Sequence, residues 1–309
     1  MVSKNLSITL LHITNIYIFD GMFKKTILTL ILINLLLVAY FYTRPYSFYK
    51  AIAIRSVQDF GTFIQSDSIN SDEYTINTIS QLPGKRGTVY SHNKEKRQKL
   101  FLEGYGNCSN QAVAMGSLLY DRNKKFQIIH LMPVFGFLEG GGHTVLQTTY
   151  KDSLMIFDLL GRSILRKDNH LVTYKDIDSL AEKTNKNKIS LQILNSNRAD
   201  VENYYNPDSN YFVVGMVPDE EYRKFYGFTQ YLYVPEKETR ITQALFYSIT
   251  TLFNKLPHIY IQEKDLKKLN QNKKFKLDKI LSFGLVINTW LIIIVFFLAL
   301  FLKLRSRFN

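Results

Sequence analysis

The apolar and polar positions of the chain are dominated by two long apolar runs, one near each end. Residues 26–43 (TILTLILINLLLVAYFYT) contain no charged side chain. Residues 280–302 (ILSFGLVINTWLIIIVFFLALFL) are also uncharged and precede a basic tail, residues 303–309. Runs of this length and purity predict membrane-spanning helices, with buried core helices as the alternative.

A cleaved signal peptide is the rival interpretation of the first run. Its end carries Tyr40, Phe41 and Tyr42, which are too bulky for a cleavage site and are typical of an aromatic belt at a membrane interface. We therefore expect an uncleaved anchor. Met22, followed by two lysines and the apolar run, also has the pattern of a natural N-terminus, and we expect translation to start there.

Between the runs, the period of the apolar residues changes along the chain from helical to strand-like. We predict helices over residues 46–66, 71–82, 109–121, 174–183 and 239–254. We predict strands over residues 126–134, 143–150, 154–159, 188–194, 211–217 and 228–234. Residues 85–98 are basic and polar and are predicted to form a loop. Helices followed mostly by strands indicate an α+β fold with an antiparallel sheet.

These patterns divide the chain into an N-terminal tail, two membrane helices, a soluble domain and two basic segments. The predicted segments are 1–25 (tail), 26–43 (transmembrane helix), 44–263 (soluble domain), 264–279 (basic juxtamembrane segment), 280–302 (transmembrane helix) and 303–309 (basic tail).

The distribution of charge predicts membrane lipids as a partner. The net charge is +13, and a block of lysines lies within residues 264–279. Such a block beside an apolar helix favours contact with anionic lipid headgroups. We expect no nucleic-acid partner, because no basic stripe is interleaved with aromatic residues. The histidines show no spacing typical of metal ligands, so no metal or cofactor is expected.

Two spans would place both ends of the chain on one side of the membrane. The positive charges at 24–25 and 303–309 favour cytoplasmic ends, whereas the lysines of 264–279 favour the opposite orientation. Long loops translocate largely regardless of charge, so the short ends carry more weight. We expect the central domain on the non-cytoplasmic side.

The single cysteine, Cys108, ends a glycine-rich turn (Gly104-Tyr105-Gly106-Asn107) and precedes the predicted helix 109–121. The positive end of a helix stabilises a thiolate and lowers the pKa of the thiol. If strands 143–150 and 154–159 pair as a hairpin, paired residue numbers sum to about 303, and His143 lies within a residue or two of direct register with Asp158. Cβ atoms of paired residues are ~5 Å apart, close enough for an imidazole–carboxylate hydrogen bond.

This arrangement resembles the transglutaminase-like superfamily of papain-related cysteine enzymes, in which a helix starting at Gly-x-Cys packs against a sheet carrying His and Asp. The resemblance covers residues 100–162. It implies that Cys108 is the nucleophile, His143 the general acid/base and Asp158 the group that orients the histidine. Two positions depart from the family pattern, since Thr144 follows the histidine and Leu159 follows the aspartate.

The sequence thus predicts a membrane-anchored cysteine enzyme that transfers acyl groups from a peptide, protein or other amide-containing substrate. Hydrolysis and transamidation both remain open. The rival is an inactive transglutaminase-like binding or scaffold module at the membrane, in which Cys108 is only a buried small hydrophobe. For the oxyanion hole, the backbone N–H of Cys108 is one candidate donor, and the second is open.

Overall fold

The structure is a computed structural model. It describes residues 24–42, 45–60, 72–89, 91–133, 142–150, 153–174, 176–177, 189–205, 212–232, 234 and 239–308. The described residues fall into two compact units, one within 1–48 and 278–309, the other within 49–277.

Nine helices and nine strands are described. The helices are α1 (Lys24–Tyr42), α2 (Pro45–Ala53), α3 (Asp72–Gln81), α4 (Lys94–Leu102), α5 (Cys108–Asp121), α6 (Asp219–Thr229), α7 (Arg240–Leu252), α8 (Glu263–Gln271) and α9 (Lys273–Phe308). The strands are β1 (Ile54–Val57), β2 (Gln127–Pro133), β3 (His143–Tyr150), β4 (Ser153–Asp158), β5 (Ser163–Lys167), β6 (His170–Leu171), β7 (Ile189–Ile193), β8 (Phe212–Pro218) and β9 (Ile259–Gln262). A short 3-10 turn, Glu202–Tyr205, precedes β8.

The first unit is built from α1 and the greater part of α9. Both helices are long and apolar enough to cross a membrane, by length and composition. Only 6% of the most apolar window of α1 and 11% of that of α9 are buried, which distinguishes them from core helices of a soluble domain.

Polar side chains join these two helices in the middle of their apolar surfaces. The Asn288 side-chain amide donates to the Leu30 carbonyl and to Asn34 Oδ1, both at 2.8 Å. The Asn34 amide donates to Thr289 Oγ1 at 3.1 Å. Near the end of α1, the Tyr40 hydroxyl donates to Asp278 at 2.6 Å. These contacts pair the helices as an antiparallel hairpin.

The second unit is an α+β domain around one sheet with the strand order β1-β9-β8-β2-β3-β4-β5-β6, and β7 pairs with β5. The sheet is mixed, because β1 and β9 pair in parallel while the other pairs are antiparallel. The predicted purely antiparallel sheet is therefore wrong at this edge. Parallel pairing needs a long connection, and here most of the domain separates the two strands, so no local pattern reveals their direction.

Apolar side chains fill both faces of the sheet. Neighbouring residues of β2 alternate between two core clusters, with Ile128 in one and Ile129 in the other. The cluster of Ile128 contains Met115 and Leu119 of α5, so this helix covers that face. The other cluster includes Ile156 of β4 and Tyr205 of the 3-10 turn.

Several predicted elements agree with the structure to within a few residues. Helices α3, α5 and α7 match predictions 71–82, 109–121 and 239–254. Strands β2, β3, β4, β7 and β8 match predictions 126–134, 143–150, 154–159, 188–194 and 211–217. Most of the predicted helix 174–183 lies outside the described residues.

Three predictions are wrong. The helix predicted over 46–66 ends at Ala53, and strand β1 follows it to pair with β9. Part of the predicted loop 85–98 belongs to α4, which Asn93 caps by accepting the Lys96 N–H at 2.9 Å. The strand predicted over 228–234 begins instead with the end of α6, whose three acidic residues in the first turn suit the positive end of a helix.

The lysine-rich segment 264–279 is also more than a surface tail. It forms most of α8 and the first turns of α9, and Leu269 and Phe275 are fully buried in the core of the second unit. Its lysines therefore lie on helices with an apolar face packed into the domain.

Candidate active site

Cys108 is the first residue of α5, directly after the turn that the sequence singled out. Gly104 and Gly106 have φ values of +87° and +113°, which residues with a Cβ adopt only with strain. Asn107 caps the helix, since its side chain accepts the Asn110 N–H at 2.9 Å. The turn and cap together fix the position of the partly exposed Cys108 at the positive end of α5.

His143 and Asp158 come from the hairpin of β3 and β4. Leu146 pairs with Phe157, so paired residue numbers sum to 303, as the sequence predicts. In this register Val145 lies opposite Asp158. His143, two residues earlier, lies on the same face of the sheet as Val145. The His143 Nε2–H donates to Asp158 Oδ2 at 2.7 Å, and both side chains are completely buried.

The other ring nitrogen of His143, Nδ1, is left for the Cys108 thiol. The thiol and the imidazole influence each other both by charge and by hydrogen bonding. Nδ1 makes no hydrogen bond of ordinary length and angle with any described residue. Its interaction with the thiol is therefore a weak hydrogen bond, which is common for catalytic groups in enzymes without bound substrate. The structure therefore brings Cys108, His143 and Asp158 into one chain of contacts.

The electrostatic interactions among Cys108, His143 and Asp158 favour a charged thiolate and a charged imidazolium over the neutral pair. Burial lowers the pKa of His143, but the charge of Asp158 and the hydrogen bonds to Asp158 and Cys108 outweigh it and raise this pKa to about 9. Burial raises the pKa of Cys108, yet His143 and the backbone N–H groups of Thr144 and Ser109 bring it below its ordinary value. The cluster therefore favours a thiolate beside an imidazolium, because each charge stabilises the other.

Asp158 remains ionised although it is fully buried. Burial alone would raise its pKa, but the charge and hydrogen bond of His143 lower it, as do hydrogen bonds from the Tyr205 hydroxyl and the Gly161 N–H. These last two hydrogen bonds are 2.5 Å and 2.8 Å long. Three donors thus surround one carboxylate, which is the condition for burying such a charge.

The two tyrosines of the 3-10 turn are site residues that the sequence analysis missed. Tyr205 donates to the same carboxylate oxygen as His143. Tyr204 stacks on the imidazole of His143, with ring centroids 4.4 Å apart and planes 11° apart. They lie far along the chain from His143, and the only signal in the sequence is an unassigned Tyr-Tyr pair before the β8 strand.

A second buried network supports the turn before Cys108. Arg162 is fully buried and donates to Gln111 Oε1 at 2.7 Å and to the Leu159 carbonyl. The Gln111 amide in turn donates to the Gly106 carbonyl at 3.1 Å. Strand β4 carries Asp158, and these hydrogen bonds connect the segment that follows it to the turn that precedes Cys108. Gln111, which the sequence left without a definite role, is the link.

On another side of the cluster, His130 lies opposite Thr144 in the β2–β3 pair, and its Nδ1 is 3.1 Å from Thr144 Oγ1. Burial, with a contribution from the charge of Lys50, lowers the pKa of His130 to about 3. His130 is therefore neutral at physiological pH. It supports Thr144, whose backbone N–H contacts the Cys108 sulfur.

Comparisons of this chain with protein-family models, curated proteins and solved structures return no match. Among the residues that the structure describes, no three His, Cys, Asp or Glu side chains are grouped so that they could hold a metal ion.

The described arrangement can perform nucleophilic chemistry. It supplies a thiolate at a helix N-terminus, an imidazolium able to give and take a proton, and a buried carboxylate that fixes the imidazole. The N–H of Cys108 lies in the first turn of α5, where backbone donors have no partner within the helix. That N–H is the candidate donor to a developing oxyanion.

Proposed function

We propose that this chain is a membrane-anchored cysteine enzyme that transfers acyl groups through a thioester on Cys108. The single observation that carries the proposal is the contact chain from Cys108 through His143 to Asp158, with the 2.7 Å hydrogen bond between the last two. A cysteine with only a packing role would need neither a histidine with a raised pKa nor a buried carboxylate that accepts three hydrogen bonds.

In the first half of the reaction, the Cys108 thiolate attacks the carbonyl carbon of an amide or ester. The carbon–nitrogen or carbon–oxygen bond breaks, and the imidazolium of His143 donates its proton to the leaving amine or alcohol. A thioester remains on Cys108, and Asp158 holds the now neutral imidazole in place.

In the second half, water or an amine attacks the thioester. His143 takes the proton of that nucleophile, the carbon–sulfur bond breaks, and Cys108 leaves as a thiolate. Water gives hydrolysis, and an amine gives transamidation. The substrate we infer is a peptide, protein or other amide-containing compound.

The proposal includes a transglutaminase-like core. The supporting observations are the helix that begins at Cys108, the packing of that helix on the sheet, and the neighbouring strands that carry His143 and Asp158. We further propose that α1 and α9 span the membrane, with lipids as partners and the central domain on the non-cytoplasmic side.

The test uses the fact that Cys108 is the only cysteine of the chain. The purified protein is reacted with iodoacetamide across a pH range, and alkylation is followed by intact mass. We expect alkylation to remain fast well below the pH at which an ordinary thiol loses its reactivity. The matched control is His143→Gln, which should return the thiol to ordinary behaviour.

A second arm tests acyl transfer with p-nitrophenyl acetate. The wild-type protein should carry one acetyl group on Cys108 transiently and release nitrophenol repeatedly, and Cys108→Ala should do neither. An ordinary thiol pKa together with no difference between wild type and Cys108→Ala would contradict the proposal and favour the inactive binding module.

A further inference from the structure

The Tyr204-Tyr205 pair contacts the His143–Asp158 dyad from two directions. The hydroxyl of Tyr205 lies 2.5 Å from Asp158 Oδ2, the oxygen that also accepts from His143. The ring of Tyr205 meets the imidazole edge-on, with planes at 83°, whereas the ring of Tyr204 lies parallel to the imidazole. Two consecutive residues thus touch both the carboxylate and the imidazole.

We propose that Tyr204 and Tyr205 are positioning residues that hold Asp158 and His143 in the geometry needed for proton exchange with Cys108. The inference rests on the proposed function for its role in catalysis. The effect of these contacts on the pKa of His143 can be predicted and measured without a substrate.

Tyr205 acts through the carboxylate. A hydroxyl donating to a carboxylate disperses its negative charge and fixes the orientation of its oxygens. Without that donor, Asp158 would attract the proton of His143 more strongly and would be less well oriented. Loss of the hydroxyl should therefore raise the pKa of His143 above its present value and slow the reaction.

Tyr204 acts through the imidazole ring. A cation over the face of an aromatic ring is stabilised by the electrons of that ring, and the parallel stack at 4.4 Å places the imidazolium there. The stack also restricts rotation of the imidazole out of line with Cys108. Loss of the aromatic ring should therefore lower the pKa of His143, the opposite of the effect expected at Tyr205.

Within the part of the chain that the structure describes, three other titratable or charged groups act on the dyad or on its cysteine. Cys108 of α5 faces the imidazole, and Arg162, after β4, adds a positive charge near Asp158. Lys50 of α2 acts on the Cys108 side, where neutral His130 lies behind Thr144. None of these groups changes in the variants below, so opposite shifts at Tyr204 and Tyr205 can be assigned to the tyrosines.

The experiment measures the pKa of His143 by NMR in the full-length protein with ring-labelled histidine. The His143 signal is identified by its loss in His143→Gln. The variants are Tyr205→Phe, Tyr204→Ala and Tyr204→Phe, and the last keeps the stacked ring. Tyr226→Phe is the matched control, because Tyr226 is also buried and donates its hydroxyl to a backbone carbonyl, that of Val113.

We expect an upward shift in Tyr205→Phe, a downward shift in Tyr204→Ala, and wild-type titration in Tyr204→Phe and Tyr226→Phe. Esterase turnover should fall about tenfold or more in Tyr205→Phe and Tyr204→Ala, because small displacements of catalytic groups are costly. Unchanged titration in Tyr205→Phe and Tyr204→Ala, or shifts in the same direction in both, would overturn the proposal and leave the tyrosines as core residues.

The two proposals fail separately. An ordinary Cys108 thiol together with no difference in turnover between wild type and Cys108→Ala would refute the enzymatic proposal whatever the tyrosine variants show. If the wild-type protein turns over substrate and the tyrosine variants change neither turnover nor the pKa of His143, only the positioning role is refuted.

Discussion

At the scale of the residue, the charge of Asp158 decides the protonation state of the whole cluster. His143 is buried, and burial alone would make it neutral at physiological pH. The adjacent carboxylate reverses this and keeps the imidazole protonated up to a pKa of about 9. The imidazolium in turn favours the Cys108 thiolate. One buried charge thus acts on the sulfur through the imidazole that lies between them.

This order of effects predicts the pH dependence of acyl transfer. On the acid side, activity should fall as Cys108 is protonated, at a pH below the ordinary pKa of a thiol because the pKa of Cys108 is lowered. On the alkaline side, it should fall near pH 9, as His143 loses the proton it must donate. A bell-shaped profile of kcat/KM for p-nitrophenyl acetate checks this expectation, and activity that rises steadily past pH 9 would contradict it.

Replacing the carboxylate tests the same argument directly. Asp158→Asn keeps the shape of the side chain but removes its charge, so the alkaline limb should move to lower pH, and kcat should fall by about two or more orders of magnitude. Asp176→Asn is the control, because Asp176 forms its contacts with Thr173 and Lys167 outside the site. An unchanged alkaline limb in Asp158→Asn would contradict the role assigned to Asp158.

At the scale of the element, the site depends on how α5 is tied to the hairpin of β3 and β4. Packing of α5 on the sheet brings the helix near the strands, but the bonds from Arg162 to Gln111 and from Gln111 to Gly106 fix the turn that carries Cys108. A buried guanidinium is tolerated because carbonyl oxygens and the charge of Asp158 surround it.

Arg162→Leu should therefore destabilise the domain and loosen the turn. We expect a loss of about 3 kcal/mol, because Gln111 and the carbonyl groups of Leu159 and Pro83 lose a charged donor. Urea unfolding followed by circular dichroism measures this value. Arg166→Leu, at a more exposed site on β5, should change stability by about 0.5 kcal/mol or less. Equal effects of the two substitutions would show that the Arg162 network adds nothing.

If α1 and α9 span a membrane, as we propose, their pairing follows a different rule, because apolar side chains gain little from packing together in lipid. Asn288 and Asn34 give the two helices a specific contact. Asn288→Leu should weaken their association by about 1 kcal/mol, measured as a lower thermal midpoint of the full-length protein in detergent. Ile287→Leu is the neighbouring control, since Ile287 is 58% exposed. A midpoint equal to that of the control would contradict the pairing role.

At the scale of the whole molecule, the two apolar helices lie near the two ends of the sequence, and the residues of the α+β domain come between them in the sequence. If both helices span the membrane, the protein should stay in the membrane fraction after extraction with alkaline carbonate. Substituting charged residues in both apolar runs should release it. Release of the unaltered protein by carbonate would contradict membrane anchoring.

The proposed orientation can be tested with a cysteine placed on the domain surface. Lys224→Cys in a Cys108→Ala background introduces a single thiol at a side chain that is 61% exposed. A membrane-impermeant maleimide should label this thiol in intact cells. A permeant maleimide on the same variant is the control. Labelling by the permeant reagent alone would place the domain in the cytoplasm.

The predictions that agree with the structure depend on local patterns, although some local patterns also misled. Helix α5 was placed to within a residue because small and apolar residues recur with a helical period after a glycine turn. The register of β3 and β4 also followed from local sequence, since a short connection leaves few ways to pair two strands. The prediction missed helix α4 because its run of charged residues has no apolar stripe. Its buried Arg97 is satisfied by the backbone carbonyls of Ser91 and His92, which a pattern of apolar residues does not reveal.

The sequence by itself determined the two apolar helices, the helix at Cys108, and the hairpin that places His143 near Asp158. Each depends on the period of apolar residues or on a turn between neighbours, and both are local properties. Only the tertiary structure decided the parallel edge of the sheet, the bond from Arg162 to Gln111, and the contacts of Tyr204 and Tyr205 with the dyad. These contacts join residues that are far apart in the chain. Packing and the need to satisfy buried polar groups select the partners, and no short stretch of sequence contains that information.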